Sequence, residues 1–330
     1  MAIRVAINGY GRIGRCVLRA IYENNRQHEF QVVAINHSAN VESTAHFTRY
    51  DSTHGRFPYE VVVEDSQLMI ADQRIMVVNE RDPLALPWKA LDIDVVFECT
   101  GRFVSGEDAG QHITAGAKIV LISAPGTHVD ATVVYGVNHD VLCASDKIVS
   151  NASCTTNCLA PLVKPLHEAI GIESGFLNTI HAYTQDQLLL DGRHNDLRRA
   201  RAAAHSIIPT KTGATKALGL VLPELAGRLD GLAMRVPTQN VSVVDLTFVA
   251  GRSTTVDEVN TVMCKAESHV LRINSEPLVS CDFNHDSASA IFDTTQTKVM
   301  GSFVKVVAWY DNEWGFSNRM LDTASYMMTC

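Results

Sequence analysis

One cysteine and one histidine in this sequence sit in contexts suited to covalent chemistry. Ser150-Asn151-Ala152-Ser153-Cys154-Thr155-Thr156-Asn157-Cys158 follows a short β-like run, Lys147 to Ser150, and opens a helical pattern carried by Leu159, Leu162, Val163 and Leu166. That pattern predicts Cys154 at a helix N-terminus, where unpaired N–H groups and the positive end of the dipole favour a thiolate. Downstream, Thr179-Ile180-His181-Ala182-Tyr183-Thr184 offers an imidazole that can complete a thiolate–imidazolium pair. Read alone, His181 suits a hydrogen-bonded core position better than a catalytic one. Cys154 and Cys158 have the spacing of half a zinc site, but no second Cys/His pair at ligand spacing follows, so no metal is expected. Cys16, Cys99, Cys143, Cys264 and Cys281 fall in apolar stretches and are expected to pack as small hydrophobes.

A second chemical feature lies near the start. Arg4 to Asn8 reads as a buried parallel strand, and Gly9-Tyr10-Gly11-Arg12-Ile13-Gly14 follows it directly. Ile13, Cys16, Val17, Ala20 and Ile21 then recur at helical spacing, and Gln31 to Asn36 closes a βαβ unit. In that context Gly9, Gly11 and Gly14 predict a tight turn that brings backbone N–H groups and a helix N-terminus to a pyrophosphate. The second strand ends in Asn36-His37-Ser38-Ala39-Asn40, and no carboxylate occurs between Glu29 and Glu42. An acid there would accept a ribose 2′-hydroxyl and repel a 2′-phosphate. The neutral segment therefore points to tolerance of NADP, with His37 or Ser38 bonding the phosphate. The alternative is NAD held by neutral hydrogen bonds or by Glu42.

These groups need elements to position them. Tyr59 to Val63, Gln67 to Ile70 and Ile75 to Val78 read as short strands, and Asp94 to Glu98 and Lys118 to Ile122 as parallel ones. Ligands bind beyond the carboxyl ends of such strands, so Thr100, Gly101 and Ser123 either line the cofactor crevice or serve as turn residues. After the Cys154 helix the pattern changes to longer strands, Ser174 to Tyr183, Gly231 to Val236, Val241 to Ala250 and Phe303 to Tyr310. Helices are expected at Gly213 to Leu222, Val256 to Val270 and Phe316 to Met328. The fold class is α/β: a Rossmann-type dinucleotide-binding domain over 1–152 and an α+β catalytic domain with a mixed or antiparallel sheet over 153–315. A terminal helix, 316–330, is expected to pack back on the first domain.

With 330 residues, 46% hydrophobic and 19% charged, the chain is globular. A net charge of −8 argues against nucleic acid as the primary ligand. No apolar run has membrane-spanning length, no signal peptide is read at the start, and eight dispersed cysteines suit a reducing cytoplasm.

Along essentially its whole length the sequence resembles phosphorylating glyceraldehyde-3-phosphate dehydrogenase. The resemblance is carried by Ile7 to Gly14, Ala152 to Cys158, Asp196-Leu197-Arg198-Arg199-Ala200-Arg201, Pro209 to Ala217, Arg235-Val236-Pro237-Thr238 and Tyr310-Asp311-Asn312-Glu313-Trp314-Gly315. It implies that Cys154 attacks the aldehyde of glyceraldehyde 3-phosphate and that His181 serves as base. Thr184 and Arg235 would bind the substrate phosphate; Ser153, Thr155, Thr212 and Gly213 would bind inorganic phosphate, and Arg199 either. Arg12 and Ile13 match the pyrophosphate turn, and Asn312 the residue that orients the nicotinamide amide. It further implies a homotetramer, with the Arg198 to Arg201 loop against a neighbouring subunit. The family's usual NAD-binding aspartate is replaced around His37, as in NADP-using members. A close relative, erythrose-4-phosphate dehydrogenase, shares the nucleophile block and patterns near Asp282 and Asn318. Thr212 to Ala217 and Thr184 favour glyceraldehyde 3-phosphate. From another class, a dinucleotide-fold module binding RNA or protein remains as an alternative.

Overall fold

Largely apolar strands at Ile3–Asn8 (β1) and Phe30–Asn36 (β2) flank the amphipathic helix Arg12–Glu23 (α1), the arrangement that a right-handed parallel crossover requires. The computed structural model describes residues 2–330 and divides them into two compact units. One runs to Ser153 and takes back Ser317–Cys330; the other is Cys154–Phe316.

The first unit is built on a nine-stranded sheet. After β2 come helix Val41–Arg49 (α2) and strand Gln73–Val78 (β3). Then follow Val95–Glu98 (β4), helix Gly106–Thr114 (α3), Ile119–Ile122 (β5) and Ile148–Ser150 (β6). The order β6-β5-β4-β1-β2-β3 is parallel throughout; the two-residue strand Ala131–Thr132 adds in parallel beyond β6, and an antiparallel hairpin, Val61–Glu64 and Gln67–Ile70, extends the sheet beyond β3. Chain order runs outward from β1 in both directions, so the carboxyl ends of β1 and β4 mark a topological switch point. Val5, Ala6, Ile7, Val95, Val96 and Phe97 are fully buried there, as strands covered on both faces must be.

The second unit opens with helix Cys154–Ile170 (α4), whose expected apolar face of Leu159, Leu162, Val163 and Leu166 is fully buried. Its sheet comprises Ser174–Ala182 (β7), Ile208–Lys211 (β8), Leu229–Val236 (β9) and Ser242–Val249 (β10). Leu271–Asn274 (β11), Ala290–Asp293 (β12) and Phe303–Tyr310 (β13) follow, and the short strand Lys298–Met300 pairs with β13 off the main path. Helices Ala214–Val221 (α5) and Val256–Lys265 (α6) accompany it, and α4 packs on the sheet and against both. The order is β8-β9-β7-β10-β13-β12-β11, with β7·β9 and β11·β12 parallel and the other pairs antiparallel, a mixed sheet. The last helix is Trp314–Met327 (α7).

Two sequence expectations are corrected, and one helix was not anticipated. The helix expected to reach Val270 ends at Lys265, where Thr255 and Ala266 cap a shorter element. Helix α2 has no counterpart in the sequence reading, because Val41–Arg49 is largely polar and buries only Thr44, Ala45 and Thr48. Cys143, Cys264 and Cys281 are exposed rather than packed, whereas Cys16 is buried and Cys99 half-buried. Apolar sequence neighbours do not say which face of an element a thiol occupies. Among the described residues no helix is long and apolar enough to cross a membrane.

Candidate active site

Cys154 is the first residue of α4, immediately after a turn in which Ala152 takes a left-handed φ of 55°. Non-glycine residues rarely adopt that conformation, and it is typical of strained turns that present a functional side chain. The turn is held by Asn151 N–H on Ile122 O at 3.0 Å and Ala152 N–H on Ser150 Oγ at 3.1 Å.

His181 lies near the end of β7, buried, with Nε2 3.6 Å from Cys154 Sγ. Its Nδ1 donates to Ala182 O at 2.6 Å, which fixes the tautomer and leaves Nε2 to accept the thiol proton. The β7·β9 register sets Arg235 beside His181. Arg235 Nη1 lies 3.1 Å from His181 Nδ1 and donates to Ala182 O at 3.0 Å and to Thr184 Oγ1 at 3.2 Å. Burial raises the Cys154 thiol above its ordinary range, and the positive charge of Arg235 partly counters this. Burial and the same charge push His181 down to about 3. The resting pair is therefore thiol and neutral imidazole, and proton transfer belongs to the reaction rather than to the ground state.

A hydroxyl brace fixes the spacing of this pair. Tyr310 OH bonds Thr155 Oγ1 at 2.9 Å and Thr179 Oγ1 at 2.8 Å, all three residues being buried. The brace thus ties the first turn of α4 to the strand that carries His181. Thr155, expected to hold inorganic phosphate, commits its hydroxyl to this brace. Ser153 is half-buried one residue before the nucleophile.

Thr212 and Gly213 precede α5. Gly213 is its N-cap with no side chain to close the end, no acidic residue follows in the first turn, and a Cβ at Gly213 would meet nothing within 4 Å. An open helix start of this kind suits an anion. Arg199 Nε donates to Thr210 Oγ1 at 2.9 Å and Nη1 to Asp186 at 2.5 Å, while its charge is felt at both His181 and Arg235. Asn312 is buried at the end of β13, its Oδ1 accepting from Ser242 Oγ at 2.8 Å.

The first unit carries the other expected residues. Gly9 has φ +94°, and a Cβ there would lie 2.6 Å from Thr100 N; one at Gly14 would lie 2.2 Å from Gly9 O. At Gly11, the N-cap of α1, a Cβ would meet nothing within 4 Å. Two glycines therefore close the turn and the third leaves a cradle above an uncapped helix start, which fits a pyrophosphate. Ile13 lies in the first turn of α1. The Arg12 guanidinium is held by Asp51 at 2.5 and 3.0 Å, so it is its place at the helix start that serves an anion.

Thr100 and Gly101 follow β4 and Ser123 follows β5, all at the carboxyl edge of the sheet. Thr100 is pinned by buried Glu98, which also accepts from Asn8 Nδ2. The Asn36 amide is occupied within the protein: Nδ2 donates to Asn8 Oδ1 and Glu80 O, and Oδ1 accepts from Glu80 N. These bonds hold the loop Glu80-Arg81-Asp82 at the end of β2, a link that sequence reading missed because nothing local marks it. His37 is half-buried against Tyr10 and is kept neutral by burial and by Arg15.

Comparison with known proteins gives matches over both units. Residues 3–106 match the model for "Glyceraldehyde 3-phosphate dehydrogenase, NAD binding domain", and residues 153–312 the model for the C-terminal domain. The plasmid-borne glyceraldehyde-3-phosphate dehydrogenase of Cupriavidus necator is 61% identical over 98% of both chains. That of Pseudomonas aeruginosa is 60% identical over 98% of both, and that of Zymomonas mobilis 53% over 99% of both.

Proposed function

The chain belongs to the glyceraldehyde-3-phosphate dehydrogenase family, and from that premise we propose that it oxidises glyceraldehyde 3-phosphate with NAD(P)+ and inorganic phosphate to 1,3-bisphosphoglycerate. The observation that carries the reading is the 3.6 Å approach of Cys154 Sγ to His181 Nε2, with Arg235 beside the imidazole.

Cys154 Sγ attacks the aldehyde carbon while its proton passes through Nε2 to the carbonyl oxygen, giving a thiohemiacetal. The Cys154 N–H at the start of α4 suits the developing oxyanion. His181 Nε2 then accepts the hydroxyl proton; a dinucleotide held by the Gly9 to Gly14 turn would supply the oxidising power as the hydride acceptor. A phosphate oxygen attacks the resulting thioester carbon, the C–S bond breaks, and the acyl phosphate leaves as Sγ takes up a proton through His181 Nε2, restoring the resting thiol. Thr184 and Arg235 hold the substrate phosphate, and its charge offsets the repulsion that Arg235 exerts on a protonated His181. Ser153, Thr212 and Gly213 receive the attacking phosphate together with the main chain of Thr155, whose hydroxyl stays in the brace, and Arg199 lies near both groups. The Gly9 to Gly14 turn holds the pyrophosphate, Thr100, Gly101 and Ser123 line the crevice, and Asn312 takes the nicotinamide amide.

The dinucleotide reading extends to NADP. The support is that the segment from His37 to Asn40 has no carboxylate. A homotetramer in the cytoplasm completes the proposal. It is supported by free cysteines and by Leu189, Leu190 and Leu197, 76–82% exposed on the loop that carries Arg199. Initial rates with NAD+ and NADP+ at matched concentrations test the cofactor reading: comparable or higher kcat/KM with NADP+ supports it, and a clear NAD+ preference removes it. Erythrose 4-phosphate in the same assay tests the substrate, with a higher kcat/KM for it overturning the assignment.

A further inference from the structure

The main chain of Ala182 is a junction in the second unit. Its carbonyl accepts from His181 Nδ1 and Arg235 Nη1, as described above. Its N–H donates to Ser242 Oγ at 3.0 Å, and Ser242 Oγ donates in turn to Asn312 Oδ1 at 2.8 Å. Ser242 is 1% exposed and stands opposite Tyr310 in the β10·β13 register, so its hydroxyl is confined between the two partners. A carboxamide oxygen only accepts, hence the single hydroxyl proton of Ser242 goes to Asn312, and the Asn312 amide has its oxygen inward and its NH2 outward.

Among the described residues, no other side-chain hydrogen bond holds the Asn312 amide. The backbone on either side of Asn312 is held independently by Asp311. Its Oδ1 accepts from the N–H groups of Glu313 and Trp314, and its Oδ2 from Asn240 Nδ2 and His285 N–H. Those four bonds place the residue but leave the rotation of its amide to Ser242.

We propose that Ser242 is a positioning residue that locks the Asn312 amide with its NH2 toward the carboxamide oxygen of the nicotinamide, and references it to the same main-chain unit that orients His181. The inference rests on the reading of Asn312 as the nicotinamide ligand. Without the Ser242 hydroxyl the amide turns over freely, and half of its orientations set oxygen against oxygen.

The test uses full-length enzyme stripped of dinucleotide, with dissociation constants of NAD+ and of ADP-ribose measured by titration calorimetry. ADP-ribose shares every part of the ligand except the nicotinamide, so general loosening of the fold weakens both alike. Ser242→Ala is expected to weaken NAD+ binding about five- to tenfold, the worth of one hydrogen bond, and to leave ADP-ribose within twofold. Ser242→Cys fills the same space with a weak donor and gives the same split should the alanine variant not fold, while Ser242→Thr restores NAD+ affinity. Equal effects on both ligands, or none on NAD+, overturn the proposal. Asn312→Ala separates the two levels. If it shows the split and the Ser242 variants do not, the role of Ser242 alone is wrong. If it shows no split, the nicotinamide reading of Asn312 fails and this inference with it.

Discussion

Replacing Tyr310 by Phe removes one oxygen and tests whether the brace sets the geometry of the reacting pair. Two buried contacts of 2.9 and 2.8 Å are lost, to Thr155 and Thr179. The Thr155 hydroxyl can still turn to Cys154 Sγ, which it already approaches. Thr179 is 1% exposed, so its hydroxyl is stranded. One stranded buried hydroxyl corresponds to a loss of about 1–3 kcal/mol. In a unit of this size that lowers the melting midpoint by several degrees, at about 2–4 °C per kcal/mol. The first turn of α4 is also freed from β7. Because a misplacement near 1 Å can cost about a hundredfold, kcat should fall between about ten- and a hundredfold with little change in KM for the substrate. The control is Thr179→Val in the Tyr310→Phe background. Removing both partners leaves nothing stranded, so the double variant should be more stable than additivity predicts by about 1 kcal/mol or more. Thermal unfolding and steady-state rates read both effects. A Tyr310→Phe enzyme with an unchanged midpoint and kcat within twofold of the parent would refute the reasoning.

Four further outcomes follow from the same geometry. Arg235→Leu should lower kcat/KM for the phosphorylated aldehyde about 10–150-fold, the range for a lost charge-assisted hydrogen bond, measured by initial rates. Because the Arg235 charge lowers the Cys154 thiol, its removal should shift the pH profile of Cys154 alkylation by neutral iodoacetamide to the alkaline side; an acid shift would reverse the sign argued here. Gly11→Ala places a methyl in open space, so it should spare the apo fold to within about 1 kcal/mol yet weaken dinucleotide binding more than about tenfold by calorimetry. Gly14→Ala drives a methyl against Gly9 O and should lower the apo melting midpoint as well, with a loss of about 1–3 kcal/mol.

The β1-α1-β2 unit was legible because its glycines, its helical period and its apolar strands all agree. The buried face of α4 was legible for the same reason, even with Pro161 and Pro165 inside the helix. Helix α2 was not, since its polar sequence gives no period and its stability comes from contacts made after folding. Strands β11 and β12 are four residues each and sit among turn-forming polar residues, too short for an alternation to register. Cys154 and His181 could be picked out because their residue types are chemically distinctive. Ser242 and Tyr310 could not, being one hydroxyl each at the ends of apolar strands. Only the β10·β13 register sets them opposite one another, and only the β7·β9 register brings Arg235 to His181. The hold of the Asn36 amide on the Glu80-Arg81-Asp82 loop was likewise invisible, because nothing local marks it.

The central claim is that Cys154 carries the acyl group between oxidation and phosphorolysis. Rapid mixing of the enzyme with glyceraldehyde 3-phosphate and dinucleotide, first without phosphate, tests it most directly. The account predicts a burst of reduced dinucleotide of one equivalent per active site, an acyl adduct on the Cys154 peptide by mass spectrometry, and acyl phosphate released when phosphate is added. A burst that survives in Cys154→Ser, or an adduct on any other residue, would contradict it.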